Sequence, residues 1–152
     1  MSGRPSEKRR SGCPVSISLE ILGDRWSLLI IRDAMVRGCR TFKEFQQSGE
    51  GIATNVLADR LKKLGAAGIL TAEVEHTDAR RINYRLTEKG IDLAPLLFEL
   101  LVWGARHEES AAPAPLIGKL QKQRREFLAE ARRRWRLRDT TPLLPKFPSR
   151  DK

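Results

Sequence analysis

Residues 41–90 read TFKEFQQSGEGIATNVLADRLKKLGAAGILTAEVEHTDARRINYRLTEKG, and this stretch decides the fold. The T-x-x-E spacing of Thr41 and Glu44 is typical of a capping box, so a helix is expected to begin there. Gly49 and Gly51 predict a turn, and the apolar spacing of residues 53–67 predicts a second, amphipathic helix. Two helices joined by a tight turn form a helix-turn-helix unit.

A β-hairpin is predicted directly after the second helix. Broken alternation of apolar residues runs from Ile69 to His76 and from Ile82 to Leu86, on either side of the turn HTDARR. The order of elements therefore predicts a winged helix-turn-helix, mainly α with a small β-hairpin wing (α+β). Such a unit can place its second helix in the major groove of DNA and its wing on the neighbouring backbone.

The remaining sequence predicts further helices around this unit. Residues 14–22 form a short helix that we expect to be buried, residues 24–38 a second apolar helix, and the residues after Thr87 a long leucine-rich helix. The predicted organisation has five parts: a disordered basic N-terminus (1–12), the winged helix-turn-helix domain with its dimerisation helices (13–110), a linker (111–115), a basic amphipathic helix (116–138) and a loose tail (139–152).

Charge is unevenly distributed along the chain. The 152 residues carry a formal net charge of +10, which is typical of proteins that bind polyanions. Residues 14–115, however, hold thirteen basic and fourteen acidic side chains, so the excess lies in the basic ends. Binding of nucleic acid by the domain would therefore depend on where its few basic residues lie.

The sequence also indicates several absences. Two cysteines do not make a disulfide framework, and His76 and His107 have no companions at metal-ligand spacing. No nucleotide-binding or nucleophile–base motif occurs, so we expect no enzyme activity, metal or cofactor. The charged N-terminus lacks the apolar stretch of a signal peptide, and no apolar run approaches about 18 residues. We therefore expect a cytoplasmic protein without a membrane partner.

The second helix of the helix-turn-helix unit has a polar side opposite its leucines. Asn is a natural reader of adenine, Thr and Lys can contact phosphate, and arginines at a wing tip can contact phosphate or the minor groove. Asp59 is unusual near phosphate and can instead pair with Lys62 or Lys63, or accept from cytosine; Arg60 is expected to be structural. An ordinary solvated face is the alternative. The candidate DNA-binding residues are Thr54, Asn55, Ala58, Asp59, Lys62, Arg80 and Arg81.

The leucine-rich helix carries more apolar residues than one protomer of this size can cover. Pairing with a second copy across a two-fold axis would bury the excess, so we expect a homodimer. The candidate interface residues are Leu93, Leu97, Leu100, Leu101 and Trp103.

Cys13 is a candidate redox sensor. It lies at a helix start, where the helix dipole favours the thiolate, and close to Lys8, Arg9 and Arg10. The alternative is a small packed hydrophobic side chain. Cys39 lies in a turn and is a weaker candidate.

Three segments together are similar to a known family. CPVSISLEILGDRWSLLIIRDAM (13–35), GIATNVLADRLKKLGAAGIL (51–70) and INYRLTEKGIDLAPLLFELLVWG (82–104) resemble the HxlR-type winged helix-turn-helix family of bacterial transcriptional regulators. The resemblance implies a homodimer joined by the first and last helices of the domain. It also implies that oxidants or electrophiles are possible effectors, with a cysteine placed like Cys13 as the sensor.

The chain departs from the family pattern in two places. Ala53 stands where members often have a serine cap, and some 48 residues follow Gly104, beyond the usual end of the family. The helix at 116–138 can pack on the dimer, lie along DNA through its arginines, or bind another partner such as RNA or a membrane surface. Packing with some DNA contact is the interpretation that the apolar stripe favours, because such a stripe is rarely left exposed.

The predicted function is that of a homodimeric, sequence-specific DNA-binding regulator, a repressor on a palindromic operator, with a possible small-molecule or oxidant effector. Its two recognition helices would lie about 34 Å apart, one turn of duplex. The alternative is a general nucleic-acid-binding or RNA-interacting protein that binds through its basic tails, with the winged helix as a protein-interaction module.

Overall fold

A computed structural model describes residues 9–148, which form ten elements. Most of the predicted disordered N-terminus, including Lys8, and the end of the predicted tail fall at residues 1–8 and 149–152, so these expectations lie outside the described residues. The elements are α1 (Pro14–Leu22), α2 (Arg25–Val36), α3 (Phe42–Gln46), α4 (Thr54–Ala66), β1 (Leu70–Val74), β2 (Ile82–Leu86), α5 (Glu88–Ile91), α6 (Ala94–His107), α7 (Ala114–Lys122) and α8 (Arg124–Leu137).

Side-chain caps begin several of these helices. The Asp24 carboxylate accepts hydrogen bonds from the backbone N–H groups of Trp26 and Ser27, so α2 starts at Arg25. Thr41 and Glu44 form the expected capping box on α3, and each side chain bonds the other's backbone N–H. These caps satisfy amide donors that have no partner within a helix.

The predicted hairpin is present. β1 and β2 pair antiparallel, with Leu70 opposite Leu86 and Val74 opposite Ile82. On the outer edge of β2, the Tyr84 N–H donates to the carbonyl of Arg40 at 2.7 Å. The helix-turn-helix of α3 and α4 followed by this hairpin confirms the predicted winged helix-turn-helix.

Two adjoining clusters of apolar side chains form the core. The first joins α2, α3, α4, the hairpin and α5, and its most enclosed members are Ile31, Phe45, Leu57, Leu64 and Ile91. The second joins α2 and α6 to the C-terminal segment, and its buried members are Val36, Phe98, Val102, Ile117, Leu120 and Leu144. The C-terminal helices are thus packed onto the domain.

The structure differs from the sequence-based expectations in three helical regions. The long helix expected after Thr87 is divided into α5 and α6, because Pro95 in the first turn of α6 has no N–H to continue a helical ladder. The helix expected over 116–138 begins earlier, at Ala114, and is divided at Gln123. α1 is mostly exposed: only Leu22 is buried, Ile21 packs partly against the first cluster, and Val15 and Leu19 are exposed.

The described part of the tail, residues 139–148, is docked rather than loose. The Leu143 N–H donates to the Val36 carbonyl at 2.8 Å, and Leu144 is buried in the second cluster. Gly38 has a φ of +71°, and a Cβ built there would lie 2.0 Å from the carbonyl oxygen of Thr140. The apolar pair Leu143–Leu144 among the prolines explains why the tail packs at all.

Candidate nucleic-acid interface

Helix α4 separates a buried side from an exposed one. Leu57, Leu61 and Leu64 are buried in the core, which fixes the rotation of the helix. The predicted contact residues share the opposite, exposed side: Thr54, Asn55, Ala58, Asp59 and Lys62. Burial of the leucines thus leaves the polar side open to an external partner.

The first turn of α4 is held by α3 rather than by its own cap. Ala53 occupies the N-cap position and makes no side-chain cap bond. Thr54 does not replace the cap; its hydroxyl oxygen accepts a hydrogen bond from the Gln46 amide at 2.8 Å. This bond fixes the first turn relative to α3. The amide groups of that turn have no side-chain acceptor, and helix N-termini that bind phosphate often have such free amide groups.

Asp59 is occupied by neighbours on its own helix. Its carboxylate lies 3.2 Å from the Lys63 ammonium and also bonds Arg60. The hydrogen bond from Lys63 lowers the pKa of Asp59 below its usual range, with Arg60 acting in the same direction. Of the two pairings left open by the sequence, Asp59 therefore pairs with Lys63, and Lys62 makes no ion pair with any residue of 9–148.

Arg60 has the structural position that its spacing predicts. Its Nε lies 2.8 Å from the Asp24 carboxylate, which also caps α2. Burial alone would raise the pKa of Asp24, but hydrogen bonds from Ser27 and Arg60 lower it on balance. Arg60 thereby joins α4 to the start of α2 and fixes the recognition helix on the core.

The turn between α3 and α4 is held by charges. Glu50 accepts from Arg32 at 2.9 Å and from Arg25 at 3.3 Å. Arg32 also bonds buried Asp33 at 2.9 Å, and Arg37 joins Asp33 at 3.2 Å. Burial would raise the pKa of Glu50, and the Arg32 hydrogen bond outweighs it, so the pKa is lowered. Glu50 therefore stays charged, and the turn keeps its place on α2.

The two wing arginines are not equivalent. Arg81 lies 3.3 Å from Glu75 across the hairpin, and the backbone N–H of Glu75 also bonds the Arg81 carbonyl. Arg80 is exposed at the tip, and its guanidinium has no ion pair within residues 9–148; only its backbone N–H bonds Asp78. Arg80 is therefore the more available cation of the two.

This surface also includes two residues of α3 that the sequence analysis did not identify. Lys43 and Gln46 are exposed, and Gln46 reaches Thr54 directly. Lys43 forms no ion pair with another described residue. The sequence could have identified them from their neighbours. Phe42 and Phe45 were expected to face inward, so the other residues of this short helix face outward.

The two cysteines have opposite environments. Cys13 is exposed at the N-cap of α1, where the backbone N–H groups of Ser16 and Val15 lower the pKa of its thiol. Cys39 is partly buried, and desolvation, aided by Asp33 and Glu44, raises its pKa to about 11. At neutral pH Cys13 is therefore the more reactive thiol.

Exposed apolar side chains lie on both α1 and α6. Val15 and Leu19 of α1 are 68% and 61% exposed, and Trp103 of α6 is 58% exposed. Leu96 and Leu100 of α6 are exposed as well, so the two helices together carry five large exposed apolar side chains. The predicted interface residues Leu93, Leu97 and Leu101 are instead half-buried against the protomer's own clusters. Of the leucines expected to pair, only Leu100 thus points clearly away from the core.

Neither a metal site nor a membrane-spanning helix is found within residues 9–148. This part of the chain has no cluster of three or more His, Cys, Asp or Glu side chains that could hold a metal ion. Its helices also include none long and apolar enough to cross a bilayer.

The helix-turn-helix, the wing and the polar side of α4 define a winged helix-turn-helix protein. The chain belongs to the HxlR-like helix-turn-helix family, whose model matches residues 21–112. This is a family of transcriptional regulators, and neither the relatives nor the structural neighbours are enzymes. The match to the family model ends at residue 112, before α7 begins at Ala114. The C-terminal helices therefore lie outside the part of the chain that the family describes.

Individual relatives and solved structures are consistent with membership of this family. The uncharacterized HTH-type transcriptional regulator YybR of Bacillus subtilis is 31% identical over 100 residues, covering 66% of this chain and 79% of YybR. The crystal structure of PA1607 is similar with a TM-score of 0.63 and 40% identity, covering 70% of this chain and 71% of PA1607. The redox regulator HypR in its oxidized form has a TM-score of 0.56 and 31% identity, covering 64% of this chain and 99% of HypR.

Proposed function

We propose that this protein is a homodimeric, sequence-specific DNA-binding regulator that represses transcription from a palindromic operator. The observation that carries the proposal is the exposed side of α4, where Asn55 and Thr54 lie on a helix fixed by three buried leucines beside a wing with an exposed Arg80. A fixed helix that presents short polar side chains suits the major groove, and a cationic loop beside it suits the backbone.

The contact residues divide into two roles. Asn55 and Thr54 face base edges, Ala58 lies where a thymine methyl would pack, and Asp59 accepts from cytosine when it faces one. Lys62, Arg80 and Arg81 contact phosphates. For Arg81, the guanidinium either leaves Glu75 or bonds Glu75 and a phosphate together. Lys43 adds a phosphate contact from α3.

The exposed apolar side chains of α1 and α6 support the homodimer. Five large apolar side chains on these two helices are uncovered in one copy, and two-fold pairing with a second copy would bury them on both. Two-fold pairing would place the two α4 helices about 34 Å apart, on successive major grooves. A palindromic operator would match that symmetry.

The structure disfavours binding through the basic C-terminal segment. Five of its arginines are bonded to carboxylates: Arg124 to Glu99, Arg132 to Asp92, Arg133 and Arg134 to Glu130, and Arg138 to Glu73. These five cations are less available to phosphate, whereas Lys119, Lys122, Arg125 and Arg136 have no ion pair within the described residues.

Footprinting of the full chain on the DNA upstream of its own gene tests the proposal. We expect a protected, roughly palindromic site, because regulators of this kind commonly control their own expression. The protein should bind that site about 10³-fold or more tightly than random DNA of equal length. Equal affinity for both DNAs would reject sequence-specific regulation and favour the tail-driven alternative.

We further infer that Cys13 senses oxidants or electrophiles. Its exposure and lowered thiol pKa support this role, and the likeness to the redox regulator HypR adds to it. Peroxide or a quinone should change operator affinity of the wild type and of Cys39→Ser, but not of Cys13→Ser. Equal responses in the wild type and Cys13→Ser would leave Cys13 without a sensing role.

A further inference from the structure

Helix α8 bonds the wing at the level of β2. The Trp135 indole N–H donates to the Leu86 carbonyl at 2.7 Å, on the same outer edge of β2 that Arg40 occupies. The Arg85 guanidinium donates to the Trp135 carbonyl at 2.7 Å and lies 4.8 Å from the centre of the indole ring. One tryptophan thus bonds β2 through both its side chain and its backbone.

A second attachment holds β1. The Arg138 guanidinium makes two hydrogen bonds to the Glu73 carboxylate, at 2.9 and 3.3 Å. This hydrogen bond lowers the pKa of Glu73. Arg138 has a φ of +55°, and every other positive φ in residues 9–148 belongs to glycine. Arg138 is the C-cap of α8: its N–H donates to the Trp135 carbonyl and the Asp139 N–H to the Arg134 carbonyl, as in a left-handed helix ending, and this ending directs the chain past β1.

The same segment is anchored to the body of the domain. Arg132 bonds Asp92 beside α5, and beyond Arg138 the chain returns to α2, where Leu143 bonds Val36. Trp135 also packs against the first core cluster. α8 therefore connects the wing to the elements that fix α4.

We propose that α8 is a brace that sets the position of the wing relative to the recognition helix, with Trp135 and Arg138 as its positioning residues. A two-stranded hairpin is marginally stable alone, and the wing reaches its partner through the tip at Arg80. Holding β1 and β2 from outside limits where that tip can lie. The proposal rests on the proposed function for its effect on DNA binding, while the bracing itself is measurable without DNA.

Charge reversal of the outer attachment tests the brace in the full-length protein. Arg138→Glu breaks the pair with Glu73, and Glu73→Arg combined with Arg138→Glu restores it in reverse. Arg133→Glu is the matched control, because Arg133 is equally exposed, makes two bonds to Glu130 within α8, and loses the same charge. Amide hydrogen exchange over residues 70–86 reports the wing, and operator titration reports DNA binding.

We expect Arg138→Glu to accelerate exchange in the wing and weaken operator binding, each by roughly three- to fivefold, the size of one exposed ion pair. Arg133→Glu should change both by less than about twofold, and the reversed pair should restore both. Equal exchange in Arg138→Glu and Arg133→Glu would overturn the brace.

The DNA measurements separate two further outcomes. Operator binding lost in Arg138→Glu and not restored by the reversed pair would mean that Arg138 contacts phosphate itself, which would also overturn the positioning role. If wild-type protein bound no operator, the proposed function would fail, and the exchange measurements would still decide whether α8 braces the wing. Trp135→Phe removes the indole donor and replaces the ring that packs on Arg85 with a smaller one, and it should accelerate exchange near Leu86 in either case.

Discussion

The helix-turn-helix unit with its wing, residues 41–86, and the C-terminal segment, residues 114–138, use positive charge differently. The first holds seven basic and six acidic side chains, and the second nine and two. The nearly neutral unit exposes Lys43, Lys62 and Arg80 without ion pairs to described residues. In the basic segment, five of the nine cations are bound within the protein: three arginines pair with carboxylates of the domain, and Arg133 and Arg134 pair with Glu130 of α8 itself. Net charge alone is therefore a poor guide to the proposed interface, because it does not distinguish paired from unpaired side chains.

The largest expected effect concerns which region joins two copies. Leu100→Glu with Trp103→Glu should give monomers and weaken operator binding by about 10²-fold or more, because two linked half-sites become independent. Leu137→Glu places one charge on an equally exposed apolar residue of α8 and should leave the dimer intact. Sedimentation and operator titration measure both. A dimer that survives the first change would place the interface elsewhere.

Next in size is the loss of one base contact. Asn55→Ala should cost ~1–3 kcal/mol on the operator and little on random DNA, with preference relaxed at one base pair. Gln121→Ala removes an exposed amide from the C-terminal segment and should change neither. Titrations of both variants on both DNAs decide this. An effect of Asn55→Ala on random DNA alone would show that α4 does not read bases.

A smaller effect is expected from the wing cations. Arg80→Ala with Arg81→Ala should weaken operator and random DNA similarly and reduce the slope of log affinity against log salt by about one to two per protomer, because fewer counterions are released. The matched pair Arg125→Ala with Arg136→Ala removes two exposed arginines that have no ion pair within the described residues. Equal slopes for the two pairs would mean that the C-terminal segment also contacts phosphate.

The smallest effect concerns an ion pair inside the C-terminal segment. Hydrogen bonds from Arg133 and Arg134 lower the pKa of Glu130 to about 2. The folded pKa lies below the usual ~4.3, so the pair stabilises the protein above that value and its contribution is lost as the pH falls towards 2.

Urea midpoints measured from neutral pH down to about 2 test this contribution. The wild type should lose slightly more stability than Glu130→Gln between the usual carboxyl pKa and about 2, as expected for a surface pair. Glu126→Gln, on the same helix without an ion pair in the described structure, should follow the wild type. Parallel curves for all three proteins would show that the Glu130 pair contributes nothing.

The sequence predicted the winged unit well because its signals are local. The Thr41–Glu44 box, the leucines of α4 and the turn between β1 and β2 each decide a structure within a few residues. The same holds for the exposed side of α4, since one helical period places Asn55 opposite Leu57. Arg60 was assigned to the structural side by the same spacing, and the structure supplies its partner, Asp24.

Long-range partners were not predictable from local patterns. The bond between Arg60 and Asp24, the docking of Leu144 and the attachment of Trp135 to Leu86 depend on how distant elements meet. Within the predicted leucine stripe, Leu97 and Leu101 are half-buried against neighbours of the same protomer, which a helical wheel does not show. Pro95 was a local signal, and it divides the predicted helix.

Gly38 places a sequence constraint on the turn after α2, and the C-terminal tail is the cause. Its positive φ favours glycine, and the carbonyl of Thr140 occupies the place of any Cβ. A chain that carries this tail therefore cannot exchange Gly38 for the asparagine that many turns accept. Across the family, we expect this turn to keep glycine in proteins with such a tail and to accept other residues in those that end after α6. The residue at this position would then distinguish members with the extension from members without it.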